Sequence, residues 1–364
     1  MRILSLHGKF SPFFSVCFRE TVDQYGVEIR LVCSKPVAEA QYSDEIYRDS
    51  GILDWQFRED LGLSGVRSLI EDFKPDAILT SGWMFREYLR ACKDFRRAGG
   101  VVIAFSDTQF EGRWKQRLGF LLSPWVIQPS IDVILVAGER QRQYAKRLGY
   151  GAAKVWEPML CCDWSRFAAA RDHAPKKKRL EFLYLGRLVE SKGIPELLEA
   201  YRRYRRQVET PWGLRCIGGG PLEAALEAEE GVTVEGFVQP EDLPRKVSPA
   251  GCYVLPSRFD PWGVALQEAA AVGLPLIASE AVGAAVHLIR DGWNGYLFET
   301  GNVNHLEQKL LAIHRADPQK RERMGERSFL LSQQFKPKRW ATQVVEGIQG
   351  LLDDKKSKRP RPTA

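Results

Sequence analysis

The sequence predicts an α/β protein of two domains, each built on a parallel sheet covered by helices. Its 364 residues amount to about two domains of ordinary size. Short apolar segments typical of strands alternate with amphipathic segments typical of helices, and this alternation favours parallel sheets. The clearest unit occupies residues 252–279, where a buried strand, a polar loop, a helix and a second apolar strand follow one another.

The N-terminal half contains five segments with the composition of strands, separated by helical or irregular segments. They cover residues 1–6, 28–34, 75–81, 101–105 and 132–137. Gly8 follows the first strand, and a glycine at this place in an α/β fold allows the backbone to approach a phosphate. An ordinary turn into the first helix, expected over residues 10–25, explains this glycine equally well.

The C-terminal half contains five more segments of this kind. They cover residues 180–185, 214–217, 231–238, 252–257 and 274–279. Residues 168–179 are small, polar and basic, and they are expected to form a linker or loop. Asp260 and Pro261 predict the start of a helix, because aspartate is a favoured N-cap and proline suits the first helical turn.

Glu268 is the anomaly of that predicted helix. Its neighbours three and four positions away are apolar, so its carboxylate carries an energetic cost unless another group hydrogen-bonds to it. The helix follows the carboxyl end of a strand, and its first amides, those of Trp262, Gly263 and Val264, favour an anion. A ligand with phosphates for the amides and a sugar diol for Glu268 would satisfy both.

Two cations follow the predicted strand at residues 180–185. Arg187 and Lys192 flank a tight turn beside a helix start, and this arrangement suits a diphosphate. From spacing alone, two solvated surface bases are an equal alternative. The next strand runs into three glycines, among them Gly219, which permit a tight turn.

Composition limits the possible classes of function. The net charge is +7 and the isoelectric point is near 9.0. These values fit an enzyme that binds anionic nucleotides, a protein that rests on an anionic membrane, or a protein that binds nucleic acid weakly. No nucleic-acid motif accompanies the charge, so no nucleic-acid partner is expected. The seven cysteines have no paired CxxC spacing, which argues against zinc, and their odd number argues against a disulfide framework. Without a signal peptide or a membrane-length apolar run, a cytoplasmic location is predicted.

Residues 112–128 mix basic side chains with tryptophans and leucines. This mixture suits a surface helix that docks on an anionic membrane. It suits equally a helix that packs on the sheet and leaves a basic edge in solvent. Both interpretations remain open at this point.

The segment PSRFDPWGVALQEAAAVGLPLIAS at residues 256–279 resembles the donor-site signature of family-four retaining glycosyltransferases, also called glycosyl transferases group 1. In that signature two acidic residues are separated by seven others. Here they are Asp260 and Glu268, with aspartate where glutamate is usual. The pattern GRLxxxKG at residues 186–193 adds to the resemblance, which is dense over residues 181–298 and sparser before them.

The resemblance implies the GT-B fold, in which two Rossmann-like domains face a central cleft. Residues 1–165 would bind the acceptor, and residues 166–335 would bind the nucleotide sugar. A helix at residues 336–352 would return to the N-terminal domain. Residues 353–364 lack apolar side chains apart from alanine and would form a disordered basic tail.

The resemblance also assigns roles to individual residues. Arg187 and Lys192 would neutralise the leaving nucleoside diphosphate, so that neither a metal nor another cofactor is required. Glu268 would hold the ribose diol, and Asp260 would hold the donor sugar or phosphate together with the amides of the helix start. Three further loop residues complete the expected donor site: Gly8, Gly219 and Phe237.

Two places depart from the family pattern. Ser106 and Asp107 stand where relatives often carry a histidine that contacts the donor sugar. Asp107 is expected either to contact sugar or acceptor hydroxyls as a catalytic residue or to cap a helix. His287 occupies a place usually held by an acidic residue, and a structural role is expected for it.

The predicted function is the retaining transfer of a sugar from a nucleoside diphosphate sugar to an acceptor hydroxyl, in cell-surface polysaccharide or glycolipid assembly. The acceptor would be a sugar or a lipid-linked sugar. A lipid-linked acceptor would bring the enzyme to the inner face of the cytoplasmic membrane as a peripheral protein. The alternative is a non-catalytic GT-B protein that binds a sugar nucleotide.

Overall fold

Two parallel sheets, one of seven strands and one of six in the part of the chain that is described, form the framework of the protein. The computed structural model describes residues 1–35, 42–173 and 180–358. The chain divides into two units, each with one sheet. The first unit contains Met1–Cys161 and Pro337–Ala364, and the second contains Cys162–Lys336.

The first sheet contains all five strands that the sequence predicts for the N-terminal half, and two more. Its strands are β1 (Arg2–Leu6), β2 (Glu28–Cys33), β3 (Asp54–Phe57), β4 (Ala77–Thr80), β5 (Val101–Ser106), β6 (Val133–Val136) and β7 (Val155–Trp156). They are parallel and lie in the order β3-β2-β1-β4-β5-β6-β7. The additional strands, β3 and β7, are short edge strands without the apolar run that marks a buried strand.

Helices connect these strands. They are α1 (Pro12–Tyr25), α2 (Glu45–Arg48), α3 (Arg58–Phe73), α4 (Arg86–Arg97), α5 (Trp114–Val126) and α6 (Glu139–Arg147), followed by a short 3₁₀ helix at Ala152–Lys154. The central strands are buried along their whole length, as all six residues of β5 show. Strands covered on both faces in this way produce the continuous apolar runs of the sequence.

The second sheet is also parallel. Its strands are β8 (Glu181–Leu185), β9 (Gly213–Ile217), β10 (Val232–Val234), β11 (Cys252–Leu255), β12 (Leu276–Ser279) and β13 (Gly295–Phe298), in the order β10-β9-β8-β11-β12-β13. The helices of this unit are α7 (Trp164–Asp172), α8 (Ile194–Arg205), α9 (Glu223–Glu227), α10 (Leu243–Val247), α11 (Val264–Ala271), α12 (Ala285–Leu288), α13 (Val303–Arg315) and α14 (Pro318–Ser332). Short 3₁₀ helices lie at Glu190–Lys192 and Gln333–Phe335.

Helix α15 (Pro337–Ser357) follows the second unit in the chain and packs in the first. Its Trp340 is fully buried. The indole N–H donates to the Met159 carbonyl oxygen at 3.1 Å, and the ring centroid lies 5.9 Å from that of Phe18. The prediction that a helix returns to the N-terminal domain is therefore confirmed. Among the described helices, none is both long and apolar enough to cross a membrane.

The predicted disordered tail is wrong for residues 353–357, which continue α15. The ammonium group of Lys355 donates to the Gly100 carbonyl oxygen at 2.6 Å and to an Asp132 carboxylate oxygen at 3.0 Å. These partners lie far away in sequence, so the polar composition of the segment could not indicate them. Residues 359–364 of the predicted tail lie outside the described residues.

The predicted linker at 168–179 is wrong for residues 168–172, which belong to α7. The Asp163 carboxylate accepts a hydrogen bond from the Arg166 amide and caps this helix. Phe167 is buried and anchors one face of the helix. His173 is the C-cap of α7, and positions 174–179 of the predicted linker lie outside the described residues.

Each sheet has one position at which the strand order reverses. β1 lies between β2 and β4, and β8 lies between β9 and β11. In open α/β sheets, loops that leave such neighbouring strands in opposite directions bind ligands at the carboxyl edge. The loops after β8 and β11 are therefore the natural place for a site in the second unit.

Candidate functional site

The loops after β8 and β11 meet through an ion pair between two predicted site residues. The Lys192 ammonium group lies 2.6 Å from a carboxylate oxygen of Asp260, and their side chains are only 19% and 9% exposed. The Ser257 hydroxyl donates to the same carboxylate oxygen at 3.4 Å. The two loops are also joined by their backbones, because the Arg258 amide donates to the Ser191 carbonyl oxygen at 3.0 Å.

The prediction that Asp260 caps a helix is wrong, because α11 begins at Val264. Asp260 forms a parallel β-bridge with Val282, and its carbonyl oxygen accepts from the Gly283 amide at 3.0 Å. Its side chain pairs with Lys192 instead of the helix amides. The backbone of residues 260–262 therefore runs extended beside residues 282–284 before the helix can start.

The first turn of α11 still presents free amides, as every helix start does. Gly263 occupies the N-cap position with φ of 91°, a left-handed conformation that favours glycine. Trp262 before it is buried, and its indole N–H has no hydrogen-bond partner among the described residues. The Trp262 ring lies 5.6 Å from the ring of His287, which packs in turn against Phe335.

Glu268 lies on α11 as predicted and is partly buried. Within the described residues, no hydrogen-bond or ion-pair partner of its carboxyl group is found. Burial raises the pKa of this carboxyl to about 7, because removal from water penalises the charged form. A ligand that donates hydrogen bonds to the Glu268 carboxylate would therefore offset the free-energy cost of its desolvation.

The loops after β8 and β9 are packed backbone against backbone. The Gly186 amide donates to the Ile217 carbonyl oxygen at 3.0 Å, and the Leu188 amide donates to that of Gly219 at 2.9 Å. A Cβ atom at Gly218 would lie 2.1 Å from the Gly186 carbonyl oxygen, so no other residue fits there. Gly219 itself has open space at this point, with its nearest neighbour 3.9 Å away.

Arg187 and Phe237 are two predicted site residues with exposed side chains on these loops. Arg187 has no ion-pair partner among the described residues, and its carbonyl oxygen accepts from the Tyr184 hydroxyl at 2.7 Å. Phe237 follows β10 and is 52% exposed. The residue before it, Gly236, accepts from the Gly218 amide at 2.8 Å, so the loops after β8, β9 and β10 form one continuous edge.

Gly8 and Asp107 lie at the carboxyl edge of the first sheet, in the other unit. A Cβ atom at Gly8 would lie 3.1 Å from the Phe85 ring, so close packing accounts for this glycine. Its neighbour His7 is fully buried among phenylalanines, and this burial lowers the pKa of its imidazole to about 3. Asp107 is exposed after β5 and does not cap the following helix, whose N-cap is Arg113.

The sequence did not single out Ser257 or Gly283. Ser257 lies two positions after the end of the buried strand β11, and a polar residue at this place could have indicated a role. Gly283 allows close approach to the site loop, since a Cβ atom there would lie 2.0 Å from the Pro261 carbonyl oxygen. This contact depends on the packing of two loops and leaves no signal in the local sequence.

Residues 165–330 match the family model described as glycosyl transferases group 1. Alpha-D-kanosaminyltransferase of Streptomyces kanamyceticus is 31% identical over 176 residues, which cover 44% of this chain and 43% of that protein. The amylovoran biosynthesis glycosyltransferase AmsK of Erwinia amylovora is 33% identical over 151 residues, covering 38% and 37%. The chain thus spans less than half the length of these relatives.

Solved structures resemble the chain over almost its full length. A structure of Alr3699/HepE from Anabaena with UDP has a TM-score of 0.76 at 16% identity and covers 96% of this chain and 100% of its own. The pneumococcal O-GlcNAc transferase GtfA with UDP and GlcNAc has a TM-score of 0.72 at 11% identity and covers 97% and 99%. The chain therefore has the GT-B fold, and its residues 165–330 are similar to the glycosyl transferases group 1 family.

Proposed function

We propose that the protein is a retaining glycosyltransferase that moves a sugar from a nucleoside diphosphate sugar to an acceptor hydroxyl. The observation that carries this proposal is the Glu268 carboxyl, which lacks a partner among the described residues and has its pKa raised to about 7. It stands on the helix that follows the loop of the Lys192–Asp260 pair. A ribose diol would supply its missing hydrogen bonds.

The remaining donor contacts follow from charge and exposure. Arg187 is exposed and without an ion pair in the described part of the chain, so it can bind the diphosphate with its planar guanidinium group. Lys192 has three N–H donors, of which Asp260 takes one. The amides of Gly263 and Val264 at the start of α11 favour an anion.

The proposed reaction breaks the bond between the anomeric carbon and the diphosphate and forms one to the acceptor oxygen on the same face. The acceptor proton passes to an oxygen of the leaving phosphate. Arg187 and Lys192 stabilise the negative charge that grows on the diphosphate. Because the protein supplies these two cations, we propose that no metal is required for charge neutralisation.

The acceptor is proposed to be a sugar or a lipid-linked sugar of a cell-surface polysaccharide or glycolipid. The names of AmsK and of the putative colanic acid biosynthesis glycosyltransferase WcaL of Escherichia coli support polysaccharide assembly. We assign the acceptor to the first unit, with Asp107 at the edge of its sheet as a contact for hydroxyl groups. We further propose a cytoplasmic protein that touches the inner face of the membrane.

The test combines donor binding with turnover. Purified protein is screened by thermal shift against nucleoside diphosphate sugars without added metal, and the stabilising donor is then used in transfer and hydrolysis assays. Glu268→Ala and Arg187→Ala should each lower turnover at least about 100-fold, as loss of a charged contact to the transition state does.

Matched controls are Glu322→Ala and Arg323→Ala, which change exposed residues of α14. Both should retain the turnover of the unmodified protein. Turnover that survives in the Glu268 and Arg187 variants would refute the site. A donor that stabilises the fold without transfer or hydrolysis would instead identify a non-catalytic protein that binds a sugar nucleotide.

A further inference from the structure

Helix α5 turns its most apolar stripe toward solvent. Large apolar side chains recur at spacings of four, three, one and three positions, which places them on one face of a helix. They are Trp114, Leu118, Leu121, Leu122 and Trp125. Their exposed fractions range from 43% for Leu122 to 69% for Trp114. A soluble surface helix normally buries such a stripe, so the orientation of α5 is inverted.

The opposite face of α5 fixes the helix to the first unit. The Gln116 side-chain amide donates to the Gln109 carbonyl oxygen at 2.8 Å, and the Ser123 hydroxyl donates to that of Leu148 at 2.7 Å. Phe120 packs against Tyr144, with ring centroids 5.3 Å apart. The inner face is therefore defined by specific contacts, and the apolar stripe is exposed while α5 is ordered and docked.

Basic residues flank the exposed stripe on both sides. On a helix of 3.6 residues per turn, Lys115 and Arg117 project about 80° to either side of its centre. Both are exposed, and α5 contains no acidic residue. Lys115 lies over the Trp114 ring at 5.8 Å. Arg113 before the helix pairs with Glu111 at 2.8 Å and contributes less net charge.

We propose that α5 docks the protein on an anionic lipid surface. An apolar stripe bordered by cations suits a helix that lies in the plane of a membrane interface. Tryptophan favours this interface because its ring is apolar and its N–H is polar. The net charge of +7 favours anionic lipids over neutral ones. This inference names the surface that makes the membrane contact proposed above. It rests on the proposed function only in that a lipid-linked acceptor would give the contact its purpose.

The experiment is co-sedimentation of the full chain with vesicles of phosphatidylcholine alone or with about a quarter phosphatidylglycerol. The unmodified protein should bind the anionic vesicles and bind the neutral ones much more weakly. Leu121→Asp should lower binding to anionic vesicles at least about tenfold, because a carboxylate replaces the centre of the stripe. Lys115→Gln with Arg117→Gln should remove most of the preference for anionic lipid.

The chain offers matched controls for both changes. Leu330 is exposed to a similar degree at 59%, so Leu330→Asp should leave binding unchanged. Lys320→Gln with Arg323→Gln removes the same two charge types from α14 and should retain the lipid preference. The thermal shift produced by donor in Leu121→Asp should equal that of the unmodified protein, which separates failure of docking from failure of the donor site or of folding.

Two results would overturn the proposal. One is equal binding of the unmodified protein and Leu121→Asp to anionic vesicles. The other is that the unmodified protein does not bind the vesicles and forms a dimer in solution, and that Leu121→Asp is a monomer by light scattering. That second result would assign the stripe to contact with another copy of the chain.

Discussion

The carboxyl of Glu268 gives the stability of the protein an unusual dependence on pH. Its pKa in the folded protein is about 7, above the ordinary value of about 4.3 for an unfolded chain. Between these values the folded state binds more protons than the unfolded state. The free energy of unfolding therefore falls as pH rises through this window and stays at its lower level above it.

Glu268→Gln removes this titration and should stabilise the protein without ligand at about pH 8 by on the order of 1–3 kcal/mol. At about pH 4, where the carboxyl is mostly protonated in both states, the effect should be small. Urea unfolding at both pH values measures the difference. Glu322→Gln, at an exposed position of α14, is the control. If Glu268→Gln changed the free energy of unfolding by the same amount at both pH values, titration of the Glu268 carboxyl would not be the cause.

The Lys192–Asp260 pair is an ion pair with little exposure to solvent. Its partners are 68 positions apart in sequence and 2.6 Å apart in space. Removal of one partner leaves the other charge buried without compensation, which costs more than the pair itself contributes. The pair should therefore position both residues before any donor binds.

A double-mutant cycle with Lys192→Ala and Asp260→Ala tests this role. The coupling free energy, measured by urea unfolding, should be about 2–3 kcal/mol. The exposed pair Lys35–Asp60, with a separation of 2.9 Å, should give at most about 1 kcal/mol by the same method. Equal coupling in the two pairs would show that the lower exposure of the first pair has no energetic consequence.

At the scale of elements, the glycine turn after β9 separates steric need from ligand contact. Gly218 has φ of 134° and lies against the backbone of the neighbouring loop, whereas Gly219 faces open space. Of the two, only Gly218 is demanded by the packing of the loops. A role for Gly219 must come from a ligand.

Gly218→Ala should destabilise the protein by about 3 kcal/mol or more, since its Cβ would clash with a carbonyl oxygen and strain the backbone. Gly219→Ala should change the free energy of unfolding by less than about 1 kcal/mol. Urea unfolding of the two variants side by side measures both values. Comparable losses would mean that the close approach of the loops is not fixed by Gly218.

Some properties of the elements could not be derived from local sequence. Asp260 followed by Pro261 has the pattern of a helix start, but the tertiary contact with Lys192 takes the side chain away from the amides. Residues 112–128 allowed two interpretations because periodicity defines a stripe without defining which side faces the protein. Helix α5 faces its apolar stripe outward because Gln116, Phe120 and Ser123 hold the other face.

At the scale of the whole molecule, the alternation of strands and helices was sufficient to predict the class of fold. Long apolar runs such as those of β5 and β11 carry this information, because parallel strands are buried on both faces. The edge strand β3 has mixed polarity and was missed. The site was predicted as residue types near strand ends. The pairing of the loops after β8 and β11 through Lys192 and Asp260 is visible only in the structure.

The path of the chain also determines the order in which the units can be completed during synthesis. The second unit is a continuous stretch, Cys162–Lys336, while the first unit needs both Met1–Cys161 and the later α15. In a nascent chain the second sheet can thus form before Trp340 has been synthesised. Until then the aromatic residues around Phe18 lack this packing partner. Because domains fold as they leave the ribosome, the unit that is made first should mature last.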